Sequence, residues 1–390
     1  MLSIALFSEC YHPMRNGVAV SVASFARTLA ALGHQVTVFT AQHPDSDDQE
    51  TNVFRFPSIT LSYPVAYPLA IPIATGKARK LLENEHYDLL HSNSAMLMGQ
   101  VALTYHRRRH LPLVFTYHTM IEEYTHYVPL PKAWVRRSAI HISRDYANAA
   151  DHIVVPAPHV AERLRGYRVV QPITVVPTGV DLDLIDQIPR GDFRATYDIP
   201  ADVPLLVYAG RLAREKNVPR LLTAFRALTP HAPEAHLVLI GGGPSEAALR
   251  DQATALGLGD RVHLTGSIPR ERLIQGLREA DLFVFASTTE TQGLVLGEAM
   301  ACGVPVVAVT APATRELIGA AEGLLVDDAD GPFADALRTL LADTPRRTRM
   351  GSAARARAAT LSAAHSTARL LDVYADAIAA CPTTPVSVTV

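Results

Sequence analysis

A chain of 390 residues, 48 % hydrophobic and 19 % charged, is long enough for two domains of ordinary size and too apolar to be disordered. Its net charge of −2, from 36 Lys/Arg against 38 Asp/Glu, gives no general attraction to polyanions, and no nucleic-acid partner is expected. Cys10, Cys302 and Cys381 are odd in number and far apart, which argues against a disulfide framework or a metal-ligand cluster and fits a reducing, cytoplasmic compartment.

In chain order, MLSIALFSE reads as a first strand rather than a targeting segment. No apolar run approaches the roughly 20 residues of a spanning helix, so the chain is expected to be soluble or peripheral to a membrane. LSIALFSE, QVTVFTA, LLHSN, LVFTYHT, HIVVPA and ITVVPT are short Val/Ile-rich strands. ASFARTLAALGHQ between the first two has helical spacing and a C-cap signal at Gly33. A second series starts near residue 204: PLLVYAG, AHLVLIGGG, VHLTGS, DLFVFAS, VPVVAV and GLLVDD, with helical stretches between them. Strand–helix alternation predicts parallel sheets covered on both faces. The expected fold is α/β, with two doubly wound, Rossmann-like domains facing across a cleft.

The boundaries follow from composition. Residues 1–178 form the first domain, and the polar, Pro/Gly-bearing stretch 179–200 reads as a hinge. Residues 201–362 form the second domain, 363–380 a helix crossing back to the first, and 381–390 a loose tail. Charge is uneven: residues 1–180 hold 16 Lys/Arg against 13 Asp/Glu, a net +3, and residues 181–390 hold 20 against 25, a net −5. A mildly basic first half fits an anionic partner, and equally plain surface variation.

Ligands of doubly wound sheets gather beyond the carboxyl ends of the strands, so residues that follow strands are the candidates. After PLLVYAG comes GRLAREKN, where Arg211 and Lys216 offer a fork and a point charge suited to a diphosphate. After DLFVFAS comes STTETQGLVLGEAMACG, with Glu290 and Glu298 eight positions apart. The N–H groups of Gly293, Leu294 and Val295 would open a helix N-terminus, a ready anion site. Paired carboxylates on one wall would suit sugar hydroxyls.

After LVF comes TYHTMIEEYTHY. Tyr117, His118 and Thr119 sit at the strand end, followed by Glu122, Glu123, Tyr124, His126 and Tyr127. After the first strand, Asn16-Gly17-Val18 makes a turn into a helix that fits either a phosphate cradle or a plain tight turn. Asp181 and Asp183 resemble a metal pair but lie in the expected hinge, and no metal site is expected. Gly241-Gly242-Gly243-Pro244 is a strand-to-helix turn rather than a dinucleotide fingerprint.

Together, GRLAREKN and ETQGLVLGEAMACGVPVV resemble the retaining glycosyltransferases of family four, which have the GT-B fold; the likeness runs from SECYHP to about Val326. It implies that Arg211 and Lys216 hold the donor diphosphate, that Glu298 contacts the ribose and that Glu290 contacts the donor sugar. It places the base beside Gly266, Ser267 and Ile268, Gly17 near phosphate and acceptor, and His118 near C6 of the sugar from the other domain. The substrate nucleotide sugar takes the place of any cofactor, and none is expected.

NGVAVSV, TYHTMIEEYTHYVPLP and STTETQG, with Gln292, are similar to bacterial 1,2-diacylglycerol 3-glucosyltransferases. That likeness implies UDP-glucose as donor and a lipid acceptor at the inner face of the membrane. It makes Tyr117, Thr119, Glu122, Tyr124, His126, Tyr127, Trp134, Arg136 and Arg137 candidates for acceptor or membrane contact. On a helix through PKAWVRRSAIHISRDYA, Val135, Ala139, Ile142 and Tyr146 share one face, read as core. Lys132, Arg136, Arg137 and Arg144 share another, with Trp134 at the border. That basic face fits an anionic membrane, with Arg107, Arg108 and Arg109 adding to it, or plain solvent. The Pro-interrupted segment 61–74 could meet a lipid or be a buried loop. The resemblance leaves other acceptors, phosphatidylinositol with GDP-mannose or a soluble sugar, and a silent nucleotide-sugar-binding protein as alternatives.

Overall fold

The computed structural model describes residues 1–46, 50–61, 67–71 and 76–381. The chain divides into two compact units, Met1–Gly179 with the segment from Ala363 onward, and Val180–Ser362.

The first unit holds β1 (Ser3–Ser8), β2 (Gln35–Ala41), β3 (Val53–Phe56), β4 (Ser58–Leu61), β5 (Tyr67–Ala70), β6 (Leu89–Ser92), β7 (Leu113–Thr116), β8 (His152–Val155) and β9 (Ile173–Val175). Seven of them make one sheet in the order β3-β2-β1-β6-β7-β8-β9, and β4 pairs antiparallel with β5. Among the described residues, the strand pairings of the large sheet are all parallel. Successive strand residues point to opposite faces, so Ala5 and Phe7 enter one core while Ile4 and Leu6 enter the other. The second core is completed by the helix Ala363–Ala380, whose Leu370, Val373, Tyr374 and Ala377 are buried beside Val22 and Leu29 of the helix Gly17–Ala31. His91 ties that helix to the sheet: Nδ1 lies 2.7 Å from the Tyr374 hydroxyl and Nε2 2.7 Å from Thr116 Oγ1.

The second unit holds β10 (Leu205–Ala209), β11 (His236–Ile240), β12 (Val262–Gly266), β13 (Leu282–Phe285), β14 (Val306–Val309) and β15 (Gly323–Val326), in the order β12-β11-β10-β13-β14-β15. β10, β13 and β14 are buried at every position, the continuous apolar reading expected of strands covered on both faces.

The stretch 179–200, expected to be a hinge, belongs to the second unit from Val180 onward. It folds as two short helices, Leu182–Gln187 and Phe193–Thr196. Asp181 caps the first, its carboxylate accepting from the Leu184 N–H at 2.9 Å. Buried Ile185 and Phe193 join the core, and Arg355 grips Asp186 with bonds of 2.9 and 2.8 Å. Polar composition concealed these few buried anchors. The expected loose tail lies outside the described residues from 382 onward, and the 61–74 segment is described only in part. No described helix is long and apolar enough to cross a membrane.

Candidate functional site

In the second sheet the strand order reverses between neighbours β10 and β13, the place where such sheets leave a crevice at their carboxyl ends. The two charged motifs leave these two strands. After β10, Gly210–Leu212 runs beside the glycine loop that follows β11: Leu212 N–H donates to Gly242 O at 2.9 Å, and Ser245 N–H to Leu212 O at 2.9 Å. A Cβ on Gly241 would stand 2.0 Å from Gly210 O, and one on Gly243 2.3 Å from Leu212 O. The run of glycines is therefore a packing requirement. Tyr208, buried on β10, donates its hydroxyl to Arg211 O at 3.2 Å, fixing the backbone that carries the Arg211 guanidinium.

The chain then makes a turn, Arg214–Lys216, that ends at left-handed Asn217 (φ 53°) before the helix Val218–Leu228. Lys216 Nζ donates to Glu290 Oε1 at 2.6 Å, with both side chains about five-sixths covered. Ser287 and Thr289 hydroxyls donate to Glu215 O, each at 3.4 Å. The loops after β10 and β13 are thus bonded at the switch point. Asn217 and Arg220 anchor the lysine turn to Asp328, at 3.1 and 2.8 Å.

Beyond Glu290, Gly293 adopts φ 73°, and the helix Leu294–Ala301 starts there without a side-chain cap. A Cβ at Gly293 would come within 2.9 Å of Leu296 Cδ1. Glu298, in this helix, accepts from Arg270 Nε at 3.0 Å. The two glutamates expected to act as one pair are held by different cations. Gly266 ends β12 with φ 65°, its carbonyl accepting from Gly241 N–H at 3.0 Å; Ser267 is exposed, and Ile268 packs on the core.

In the first unit His118 follows β7 and its Nε2 lies 2.8 Å from Asn93 Oδ1, which follows β6. Burial pushes the His118 pKa down to about 4, so the ring is neutral at physiological pH. His91 is pushed to about 3 by burial and by His118. Asn16 caps its helix through Oδ1, which accepts from Ala19 N–H at 2.9 Å, and Gly17 stands exposed at that helix start. Glu9, almost fully buried, accepts from Met98 N–H at 2.6 Å, and burial raises its pKa.

Two candidates for acceptor contact are corrected. Tyr117 and Glu122 are both 2 % exposed. Tyr117 donates to Glu122 Oε2 at 3.0 Å, while Arg163 (3.0 Å) and Tyr167 (2.5 Å) hold Oε1. A buried carboxylate needs such partners, and this one spends its oxygens inside the unit. Glu123 joins Arg163 at 2.5 Å. Thr119 is half-buried; Tyr124, His126 and Tyr127 form a half-buried ring cluster, the last two with centroids 4.2 Å apart. Trp134 is 63 % exposed, and Arg136 and Arg137 are exposed beside it on the helix Lys132–Ala149. The buried face of that helix is Ala139, Ser143, Tyr146 and Ala147; Ile142, expected inside, is 46 % exposed. Among the described residues no group of three or more His, Cys, Asp or Glu is placed to hold a metal ion.

Sequence reasoning passed over Arg270, Asn93 and Tyr208. Asn93 and Arg270 do follow strands, a position that could have flagged them; Tyr208 lies inside an apolar run and gave no signal.

The family "Glycosyltransferase Family 4" matches residues 15–184, and "Glycosyl transferases group 1" matches residues 189–357. The chain is 29 % identical to an alpha-monoglucosyldiacylglycerol synthase of Streptococcus pneumoniae over 324 residues, 81 % of this chain and 73 % of the relative. It is 32 % identical to a D-inositol 3-phosphate glycosyltransferase of Xylanimonas cellulosilytica over 389 residues, covering 93 % and 92 %. A sucrose-phosphate synthase structure from Thermosynechococcus elongatus superposes with a TM-score of 0.80 at 26 % identity, covering 97 % of this chain and 100 % of the other.

Proposed function

The chain belongs to glycosyltransferase family 4 and is a glycosyltransferase, and on that premise we propose that it transfers glucose from UDP-glucose to a lipid hydroxyl such as that of diacylglycerol, with retention. The observation that carries the donor half of this reading is the Lys216–Glu290 pair at the β10/β13 switch point, beside the uncapped N-terminus at Gly293. A diphosphate entering there meets Arg211, Lys216 and the N–H groups of Leu294 and Val295, all suited to negative charge.

Lys216 then exchanges a carboxylate for a phosphate, and Glu290 is released to accept from sugar hydroxyls. Glu298 takes the ribose hydroxyls, and the base lies along Gly266, Ser267 and Ile268. As the glycosidic bond breaks, charge grows on the diphosphate, and fixed cations and backbone donors stabilise it more than they stabilise the bound substrate. The acceptor hydroxyl attacks the anomeric carbon from the face that the diphosphate leaves, and a leaving phosphate oxygen takes its proton. His118, kept neutral by burial, can act as a hydrogen-bonding group but not as a cation.

The lipid half rests on the first unit's surface. Val128, Leu130 and Trp134 are 40, 51 and 63 % exposed and share a short segment with exposed Lys132, Arg136 and Arg137. Apolar side chains among cations suit an anionic bilayer surface. A second reading, a soluble phosphorylated polyol as acceptor, is favoured by the near full-length likeness to the inositol-phosphate enzyme. Incubation with UDP-glucose and either diacylglycerol in mixed micelles or inositol 3-phosphate separates them. An α-glucosyl lipid is expected, and glucosylation of the inositol phosphate alone would overturn the lipid reading.

A further inference from the structure

Arg270 sits where a cation is locally unfavourable. It is the first residue of the helix Arg270–Glu279, at the positive end of the helix dipole. Its Nε donates to Glu298 Oε1 at 3.0 Å, across to a different helix. Arg270 is 35 % exposed at its side chain and Glu298 13 %. Among the described residues the guanidinium makes no other hydrogen bond. Pro269 and the left-handed Gly266 keep the exit from β12 short, so Arg270 follows Ile268 by two positions.

We propose that Arg270 is a positioning residue for the donor nucleotide, holding the Glu298 carboxylate in one orientation so that its remaining lone pairs accept from the ribose hydroxyls. This rests on the reading of Glu298 as the ribose ligand. A glutamate with three free torsions loses that freedom when a diol binds, and a partner that has already fixed it lowers the cost of binding. The planar guanidinium fixes direction as well as charge, which the lysine ammonium does not. The placement also offsets the unfavourable position of Arg270 on its own helix, a local conflict of the kind found at functional sites.

The test is calorimetric titration of the full chain with UDP, ADP and GDP and with their 2′-deoxy counterparts. The wild type is expected to prefer its best ribonucleotide over the deoxy form by about tenfold, or about 1.4 kcal/mol. Glu298→Gln is expected to abolish that preference. Arg270→Gln is expected to remove most of it while leaving affinity for the deoxy form within about twofold, and Arg270→Lys to retain part of it.

Equal weakening of ribo and deoxy forms by Arg270→Gln would overturn the inference, because a phosphate contact or a general loosening acts that way. An unchanged preference in Arg270→Gln would overturn it too. Should Arg270→Gln not fold, the preference of Arg270→Lys decides, and a wild-type value there counts against the proposal. If Glu298→Gln keeps the preference, the ribose reading itself fails and takes this inference with it.

Discussion

The two units handle polar residues in opposite ways at similar places in their sheets. In the second unit the residues beyond the strand ends form ion pairs, Lys216 with Glu290 at 2.6 Å and Arg270 with Glu298 at 3.0 Å. In the first unit His91 within β6 and His118 after β7 are kept neutral by burial, and the buried Glu122 is satisfied by Tyr117, Arg163 and Tyr167. A site that must bind a diphosphate needs cations that can exchange a carboxylate partner for a phosphate. A site that only has to orient a neutral sugar or acceptor hydroxyl needs fixed dipoles. Under the proposed function, this difference gives charge stabilisation to the second unit and positioning to the first.

The sharpest way to break this comparison is to remove charge from the second unit. Lys216→Ala is expected to lower kcat/KM by about a thousandfold, about 4 kcal/mol of transition-state stabilisation, with the circular dichroism spectrum unchanged. A loss below tenfold would remove the basis for the division.

The next effect is on the first unit's surface. The triple change Trp134→Ser, Arg136→Ser and Arg137→Ser is expected to weaken partition onto anionic vesicles by about 30-fold or more, since each surface cation contributes about 1 kcal/mol. Activity on a short-chain, water-soluble diacylglycerol should be unaffected, and unchanged vesicle binding would point to the soluble acceptor.

A smaller effect concerns pH. His91 and His118 have folded pKa values of about 3 and about 4 against an ordinary 6.5, so as pH falls below 6.5 the unfolded chain takes up protons that the folded chain refuses. Stability therefore falls with falling pH, by up to about 1.4 kcal/mol per histidine per pH unit. The melting temperature is expected to drop by roughly 5 °C from pH 6.5 to 5.5, and His91→Gln should flatten that slope. A slope of the opposite sign would show that these rings are charged in the fold.

The smallest is Tyr374→Phe, which leaves His91 Nδ1 without its partner and is expected to cost about 1–2 kcal/mol in a denaturant titration, with little change in turnover.

Much of this was legible in the sequence, for a physical reason. The central parallel strands are apolar runs bounded by turns, so β6, β7, β10 and β13 stand out, and the charged residues and glycines after β10 and β13 mark the crevice. Residues whose role depends on a partner far along the chain were not legible. Tyr117 and Glu122 look like surface acceptor contacts until Arg163 and Tyr167 arrive from forty positions on. The 179–200 stretch looks like a hinge because its anchors, Ile185 and Phe193, are few among polar residues. Arg270 resembles any exposed helical arginine until Glu298, 28 residues later, folds against it. Local chemistry announces the charged motifs, whereas pairing across the fold decides how each charge is held.

The measurement that bears most directly on the central claim is calorimetric titration of UDP into the wild type and into Lys216→Ala. The account predicts that the variant loses at least tenfold in affinity while the Trp134, Arg136, Arg137 triple variant binds like the wild type. Equal binding by Lys216→Ala, or a loss confined to the first-unit variant, would contradict a donor site at the β10/β13 switch point.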